Sequence, residues 1–131
     1  MGPLDVHASL ELEPDVTAPG RARRFIRDFC RAAHLGEDAC ETAALLTSEL
    51  VTNAVLHGRS RAVLDARVPE GSLRVEVHDL DPRVPEVADR GDAAEGGRGL
   101  LLVGALADRW GSERHPSGHG KAIWFELDVP G

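Results

Sequence analysis

The stretch of sequence that decides the fold is Glu49–Gly58, which reads ELVTNAVLHG. Glu49, Asn53 and His57 recur at every fourth position of an otherwise largely apolar segment. On a helix each of these side chains would lie about 40° from the previous one, so the three polar groups would form one narrow line. The stretch therefore predicts a helix that ends at Gly58 and carries a polar line that needs a partner.

The apolar residues of the same helix predict which way that line faces. They form a stripe at helical spacing, made of Ala39, Ala43, Leu46, Leu50 and Ala54. Asn53 and His57 fall within or beside the stripe and Glu49 lies on its margin, so the polar line is predicted to face inward. A buried polar group without a partner costs about 1–3 kcal/mol, so protein, water, metal or ligand should satisfy each one. Taken alone, this helix favours hydrogen bonds at the edge of the core over a ligand site.

The composition predicts a single globular domain over residues 1–131. Hydrophobic residues make up 42% and charged residues 28% of the chain, which are ordinary globular values. The net charge of -7 disfavours nucleic acid as a partner, because phosphate backbones attract basic surfaces. No segment approaches the roughly 18 apolar residues of a membrane span and no leader-like segment precedes the domain, so we expect a cytoplasmic protein. Cys30 and Cys40 are predicted to be reduced, packed thiols.

The remaining segments predict alternating helices and strands. His7–Leu12 is predicted to form an edge strand. Apolar residues at helical spacing predict a first helix, which a left-handed Gly36 would end. Asp38 with Glu41 resembles a capping box and is predicted to open the second helix. The polar line of Glu49, Asn53 and His57 then lies on the second helix of the chain.

Two hairpins and a long loop are predicted after Gly58. The strands Arg61–Val68 and Leu73–Asp79 flank the turn PEGS, and Asp79 continues the alternation that faces the core. Residues 81–97 are rich in Pro, Gly, Asp and Glu and predict a mobile loop, with a candidate lid over 82–97. A short apolar helix, Arg98–Ala107, follows a glycine-rich start whose backbone N–H groups suit phosphate. Strands Asp108–His115 and Lys121–Val129 close the chain.

Four of these segments together resemble the GHKL family of ATP-binding domains, which gyrase-type topoisomerases, sensor histidine kinases and anti-sigma-factor serine kinases share. ELVTNAVLHG resembles the N box, and VEVHDLDPRVP at Val75–Pro85 resembles the first glycine box. GGRGLLLV at Gly96–Val103 resembles the second glycine box, and GKAIWFEL at Gly120–Leu127 resembles the closing strand of the small anti-sigma-type members. The resemblance implies a two-layer α/β sandwich of the Bergerat type, with a mixed, mostly antiparallel sheet covered on one face by helices.

The resemblance also implies roles for individual residues, with ATP and Mg²⁺ as cofactors. Glu49 would be the general base, Asn53 would hold Mg²⁺, and Asp79 would accept a hydrogen bond from the adenine amino group. The other residues expected near the nucleotide are His57, Arg83, Gly97, Arg98, Gly99, Leu100, Leu101 and Lys121.

The chain departs from the family pattern at two places. Asp81 and Arg83 stand where the first glycine box usually has glycines, which puts close backbone approach to the nucleotide in doubt. Ala122 stands where a hydroxyl beside the adenine is expected. These departures motivate an alternative, in which the fold serves as a non-catalytic protein-binding module with a degenerate nucleotide site.

The resemblance implies a regulatory function, because the chain lacks the phosphoacceptor helices of a sensor kinase. We expect an ATP-dependent serine/threonine kinase that phosphorylates an antagonist protein, sequesters a sigma factor, or does both. Its partners would be proteins, and a homodimer is a candidate assembly. The exposed face of the first helix, with Arg21, Arg24, Arg27 and Asp28, could dock a partner or be a solvated charged face.

Two other functional readings are disfavoured. A zinc site built from His115, His119 and a cysteine is unfavourable, because the cysteines lie on predicted helices and the histidines flank a turn. Trp110 and Trp124 are predicted to be packing residues rather than a stacking platform.

Overall fold

The computed structural model describes residues 6–69, 71–79, 96–114 and 120–129. Its strands are β1 His7–Leu12, β2 Ala62–Arg67, β3 Ser72–Asp79, β4 Arg109–Arg114 and β5 Lys121–Asp128. Its helices are α1 Ala18–Ala32, α2 Glu37–Val51 and α3 Gly96–Leu106, and α2 continues directly into a π-helical segment, Thr52–His57. None of the helices in these ranges is long and apolar enough to cross a membrane.

The strands form one sheet in the order β1-β2-β3-β5-β4. Every pairing within the described ranges is antiparallel, so the sheet there is antiparallel rather than mixed. Helices α1 and α2 pack against each other and against one face of this sheet. The predicted two-layer α/β fold is therefore confirmed.

Strict alternation along the strands decides which sheet face meets the helices. Residues on one face are fully buried, and they include Leu64, Ala66, Val75, Val77 and Phe125. The residues between them, such as Asp65, Glu76 and Trp124, are only partly buried. Because side chains of a strand point alternately to the two sheet faces, the period of two separates an apolar inner face from a charged outer face.

The end of α1 differs from the prediction. His34, not Gly36, takes the left-handed conformation, with φ of 60°. The His34 N–H donates to the Arg31 carbonyl and the Leu35 N–H donates to the Cys30 carbonyl, both at 3.0 Å. This is the double hydrogen bond of a Schellman motif, and the packing of Leu35 against the core supports it. Tertiary packing thus fixes a conformation that the sequence pattern assigned to a glycine.

The start of α2 also differs from the prediction. Gly36 is the N-cap residue, with an extended backbone, and α2 begins at Glu37 without a side-chain cap. The capping box of Asp38 and Glu41 is therefore wrong, because Asp38 already lies inside the first turn. There its carboxylate and that of Glu37 interact favourably with the positive end of the helix dipole.

The predictions for the cysteines and for the tryptophans have different outcomes. Cys30 and Cys40 are free and buried, as predicted, and burial beside Cys40 raises the pKa of Cys30 to about 12. Trp110, however, is 43% exposed, so it is only partly a packing residue. Trp124 lies on the outer sheet face, with the Arg74 guanidinium 4.2 Å from its ring centroid.

Candidate functional site

The centre of the candidate site is Asp79, the last residue of β3. It follows Val75 and Val77 on the inner sheet face, and only 2% of it is exposed. The inward orientation that alternation predicted for Asp79 is therefore confirmed. A carboxylate in this position is expensive to bury unless it is paired or hydrogen-bonded.

Lys121 supplies a charge partner for this carboxylate. It is the first residue of β5 and lies directly opposite Asp79 in the antiparallel pairing. Lys121 Nζ is 3.1 Å from Asp79 Oδ2, and the lysine side chain is only 12% exposed. Opposed residues of antiparallel strands share a face, so this register places both charges on the inner side. The resemblance implied a position near the nucleotide for Lys121 but did not predict its pairing with Asp79.

The same register corrects the position of Ala122. Ala122 is paired with His78, which lies on the outer face, and not with Asp79. The residue opposite Asp79 is therefore Lys121, and Ala122 lies one position further along β5.

Asn53 lies in the π-helical segment, which the sequence pattern did not predict. At the start of this segment the Thr52 hydroxyl donates to the Ser48 carbonyl at 2.7 Å, an interaction that tends to bend helices. At its end the Gly58 N–H donates to the Asn53 carbonyl at 2.9 Å, five residues back. Short π-helical turns inside α-helices are frequent at functional sites.

Gly58 is required at the end of this segment by close contact rather than by its backbone angle. Its φ is −78°, which any residue adopts. A Cβ on Gly58 would lie 2.6 Å from the Ala54 carbonyl oxygen, a distance at which the backbone must shift. The glycine therefore lets the chain leave the wider helical turn.

The π-helical segment changes the predicted polar line. Glu49 remains on the regular part of α2 and is partly buried, as is Asn53. His57 is exposed, so the prediction that it faces inward is wrong. The wider turn after Val51 breaks the constant step of 100° per residue on which that prediction rested.

The elements that carry these residues meet in one region of the fold. The π-helical segment contacts both β3 and α3, and α2 packs along α3. The strand end with Asp79, the turn with Asn53 and the start of the glycine-rich helix therefore belong to neighbouring elements. Because β5 pairs with β3, the described parts of all four segments that resemble a nucleotide site lie on elements that contact one another.

Helix α3 begins two residues earlier than predicted, at Gly96. In an α-helix that starts there, the N–H groups of Leu100 and Leu101 bond to carbonyls four residues back. The N–H groups without partners inside the helix therefore lie at Gly96, Gly97 and Arg98.

Several predicted site features lie outside the described residues. They include Arg83 and, apart from Gly96 and Gly97, the candidate lid over 82–97. His115 and His119, considered above for a zinc site, also lie outside the described ranges.

The pairing of Asp79 with Lys121 is the feature that sequence reasoning missed. A signal for it exists, because Asp79 ends one predicted strand and Lys121 begins another. Two antiparallel neighbours would place these residues opposite each other. What the sequence could not supply is that these two strands, separated by residues 80–120, are neighbours in the sheet.

Comparisons with known proteins agree on one kind of domain. Residues 12–127 match the family model of the histidine kinase-like ATPase domain. An uncharacterized protein of Streptomyces coelicolor is 40% identical over 72 residues, in a match that covers 51% of this chain and 69% of that protein.

Solved structures share the fold at low sequence identity. The RsbU and RsbW domains of Rv1364c from Mycobacterium tuberculosis superpose with a TM-score of 0.68 at 19% identity, over 93% of this chain and 32% of that chain. The blue-light activated histidine kinase of Erythrobacter litoralis superposes with a TM-score of 0.60 at 22% identity, over 88% of this chain and 42% of that chain. This chain thus spans less than half the length of either solved chain.

Proposed function

The chain belongs to the histidine kinase-like ATPase domain family, and on that premise we propose that it is an ATP-binding regulatory protein. We further propose that it acts as a serine/threonine kinase of the anti-sigma-factor type. Its substrate would be an antagonist protein, and a sigma factor would be a second partner. The match over residues 12–127 supports the ATP-binding part. The resemblance of the sequence to the small anti-sigma-type members supports the kinase part.

The observation that carries the proposal is the burial of Asp79. It is a carboxylate that is 2% exposed, on the sheet face that also carries the buried Val75 and Val77, and its strand contacts the π-helical segment that holds Asn53. Structural stability alone would favour an apolar residue at such a position. In the proposed function, Asp79 accepts a hydrogen bond from the exocyclic amino group of adenine and thereby selects ATP over GTP.

The residues of α2 and the π-helical segment would handle the phosphates. Asn53 offers a carbonyl oxygen, a suitable ligand for hydrated Mg²⁺, and it lies on a segment that contacts both β3 and α3. Glu49 lies one turn earlier and would take the proton from the attacking hydroxyl of a protein substrate. The bound Mg²⁺ would neutralise charge on the phosphates during transfer.

The start of α3 would receive the phosphate groups. Backbone N–H groups at a helix start form a ready anion site, and the helix begins at Gly96. We propose that Gly97 and Gly99 allow close approach, and that Arg98 and Lys121 contribute positive charge. His57 and Arg83 remain proposed contacts on the phosphate side, although His57 is exposed in the structure.

Nucleotide binding tests the proposal directly. Calorimetric titration of the protein with ATP and GTP, each with Mg²⁺, should show saturable binding that favours ATP. Asp79→Asn should abolish this preference and weaken ATP binding by tenfold or more, about 1.4 kcal/mol. Asp128→Asn is the matched control, because that carboxylate is exposed on the outer face. Absence of ATP binding at millimolar concentration would refute the proposed site.

A second experiment addresses the base role of Glu49. Glu49→Gln should retain ATP affinity but lower phosphate transfer by about 10²–10⁴-fold, the range typical for general base catalysis. Glu41→Gln is the control, since it removes an exposed carboxylate from the same helix, where it pairs with Arg27. An unchanged transfer rate in Glu49→Gln would remove Glu49 from this role.

The ion pair between Asp79 and Lys121 favours a second candidate function. A lysine 3.1 Å from Asp79 Oδ2 competes with adenine for the carboxylate. In that case the fold would act as a protein-binding module without turnover, as the Asp81 and Arg83 departures also suggest. Lys121→Met separates the two functions. Weaker ATP binding would support a nucleotide contact, whereas tighter binding would identify the lysine as an internal competitor.

The arginine-rich face of α1 is the proposed surface for a protein partner. Thr17, Gly20 and four arginines line a shallow groove there: Arg21, Arg23, Arg24 and Arg27. Arg27 Nη2 donates a hydrogen bond to Glu41 Oε1 at 3.0 Å, whereas Arg21 and Arg24 are exposed. An acidic surface on the antagonist or sigma factor would complement this face. Arg24→Glu should abolish binding to a purified partner, whereas charge reversal at the exposed Arg61, outside α1, should not.

A further inference from the structure

The outer face of the sheet carries a cluster of metal-ligating side chains that the proposed nucleotide site does not use. Asp65 lies in the middle of β2 and is paired with Ser9 on β1 and with Glu76 on β3. His78 follows Glu76 two residues later on the same face of β3. The neighbouring strands β2 and β3 thus bring an imidazole and two carboxylates together on the face opposite to Asp79.

The ligand atoms of this cluster lie close enough together for one ion to contact all three. His78 Nε2 is 2.7 Å from Glu76 Oε1 and 3.4 Å from Asp65 Oδ2. The ligand atoms of Asp65, Glu76 and His78 all lie within 4.8 Å of one another. In a tetrahedral zinc site with bonds of about 2.0–2.1 Å, neighbouring ligand atoms lie about 3.3 Å apart. Only small side-chain movements would therefore admit the ion.

Neighbouring groups hold the two carboxylates in place. Arg74 Nε donates to Glu76 Oε2 at 2.6 Å, and the Ser9 hydroxyl donates to Asp65 Oδ1. Such contacts to the second oxygen of a ligating carboxylate orient it and are typical of metal sites.

The cluster is partly shielded from solvent but still reachable. The side chains of Asp65, Glu76 and His78 are 29%, 21% and 24% exposed. A second imidazole lies at its edge, with His7 Nε2 3.5 Å from Asp65 Oδ1. Partial burial strengthens charge interactions with a cation, and the remaining exposure leaves a path for entry and a position for water.

We propose that Asp65, Glu76 and His78 bind a divalent transition-metal ion, with Zn²⁺ as the best match. A nitrogen ligand together with two carboxylates suits Zn²⁺, whereas Mg²⁺ and Ca²⁺ prefer oxygen ligands alone. The ion would cross-link β2 and β3 on the outer face. Strand β1 would be connected to the site through the hydrogen bond from the Ser9 hydroxyl to Asp65. This site is separate from the proposed Mg²⁺ site at Asn53 and does not depend on nucleotide binding.

Metal titration of the full chain without nucleotide tests the site. After treatment with a chelator, the protein is titrated with Zn²⁺ by calorimetry and with Co²⁺ by visible absorption. Wild type should bind one equivalent of each ion, and Zn²⁺ should raise the melting temperature. His78→Gln and Asp65→Asn should each weaken binding by about tenfold or more, the loss seen even for supporting residues of metal sites.

His34→Asn is the matched control for these variants. His34 is an exposed histidine on the helical layer, and Asn tolerates its left-handed backbone conformation. It should bind Zn²⁺ as wild type does, and His78→Gln should lose the rise in melting temperature. The proposal is overturned if wild type shows no saturable Zn²⁺ binding, or if His78→Gln, checked for folding by circular dichroism, binds as tightly as wild type.

Discussion

The two faces of the sheet differ in how they are stabilised, although the same strands build both. On the inner face Val75 lies opposite Phe125, and both are fully buried. One residue along, on the outer face, Arg74 lies opposite Glu126, with 2.8 Å between Arg74 Nη1 and Glu126 Oε2. The inner pair contributes through burial of apolar area, and the outer pair contributes through a charge-assisted hydrogen bond.

A charged side chain has a different significance on each face of the sheet. On the inner face a carboxylate is costly, so the burial of Asp79 beside Lys121 supports the proposed nucleotide site. On the outer face charges are common, and a network runs from Arg74 through Glu126 to Arg109. There only geometry can distinguish a site from a solvated surface, and the proposed metal site rests on the convergence of one ligand atom each from Asp65, Glu76 and His78.

The largest expected effect comes from truncating the inner face. Phe125→Ala should lower the free energy of unfolding by about 3–5 kcal/mol, because it removes a fully buried aromatic side chain and leaves a cavity. Urea denaturation followed by circular dichroism measures the change. Glu126→Ala, at the next position of the same strand, is the control on the other face. An equal loss in both variants would contradict the difference between the faces.

The next effect concerns the ion pair between Asp79 and Lys121 on the inner face. Lys121→Met should destabilise the protein by about 3 kcal/mol, because it removes the cation from a carboxylate that is 2% exposed. The double variant Asp79→Leu/Lys121→Met should regain most of this loss, since it also removes the buried charge. Denaturation without nucleotide measures both. Additive losses in the double variant would show that the two charges do not interact.

A smaller effect is expected at Gly111 on the outer face. A Cβ there would lie 3.0 Å from the Trp124 ring, so Gly111→Ala should destabilise the protein by about 1–2 kcal/mol. Gly104→Ala in α3 is the control, because its Cβ would meet Trp110 at an ordinary distance of 3.4 Å. That variant should be stabilising by about 0.5–1 kcal/mol, since Ala favours a helix over Gly. Thermal unfolding of both variants would reveal whether their signs differ.

The smallest expected effect is the pH dependence of stability that arises from the outer face. Hydrogen bonds from Arg109 and Arg74 lower the pKa of Glu126 in the folded protein. The unfolded chain therefore binds this proton more readily than the folded protein does. The stabilising contribution of ionised Glu126 is thus present above about pH 4.3 and is lost as pH falls through the lower folded pKa.

Glu126→Gln removes this titration and tests its size. The variant should be less stable than wild type by about 0.5–1 kcal/mol at pH 7. The difference should shrink at pH 3, where the wild-type carboxyl takes up its proton. Urea denaturation at both pH values measures it, and a difference that stays constant would show that the ion pairs of Glu126 do not contribute.

Much of the fold could be predicted because its signals are local. Alternation gave β3 and the inward side chain of Asp79, and the helical spacing gave α2. The left-handed His34 and the π-helical segment could not be predicted in this way. Both depend on how α1 and α2 pack against the rest of the chain, and packing overrides local preference.

The sequence by itself determined which residues of the strands and of the regular helices face the core, because the periods of 2 and 3.6 are properties of the local backbone. It also carried the motifs that resemble an ATP site. Only the tertiary structure decided which side chains meet, such as Lys121 with Asp79 and His78 with Asp65. The physical reason is that strand order and register are set by contacts between residues far apart in the chain, and a shift of one residue would move every side chain to the other face.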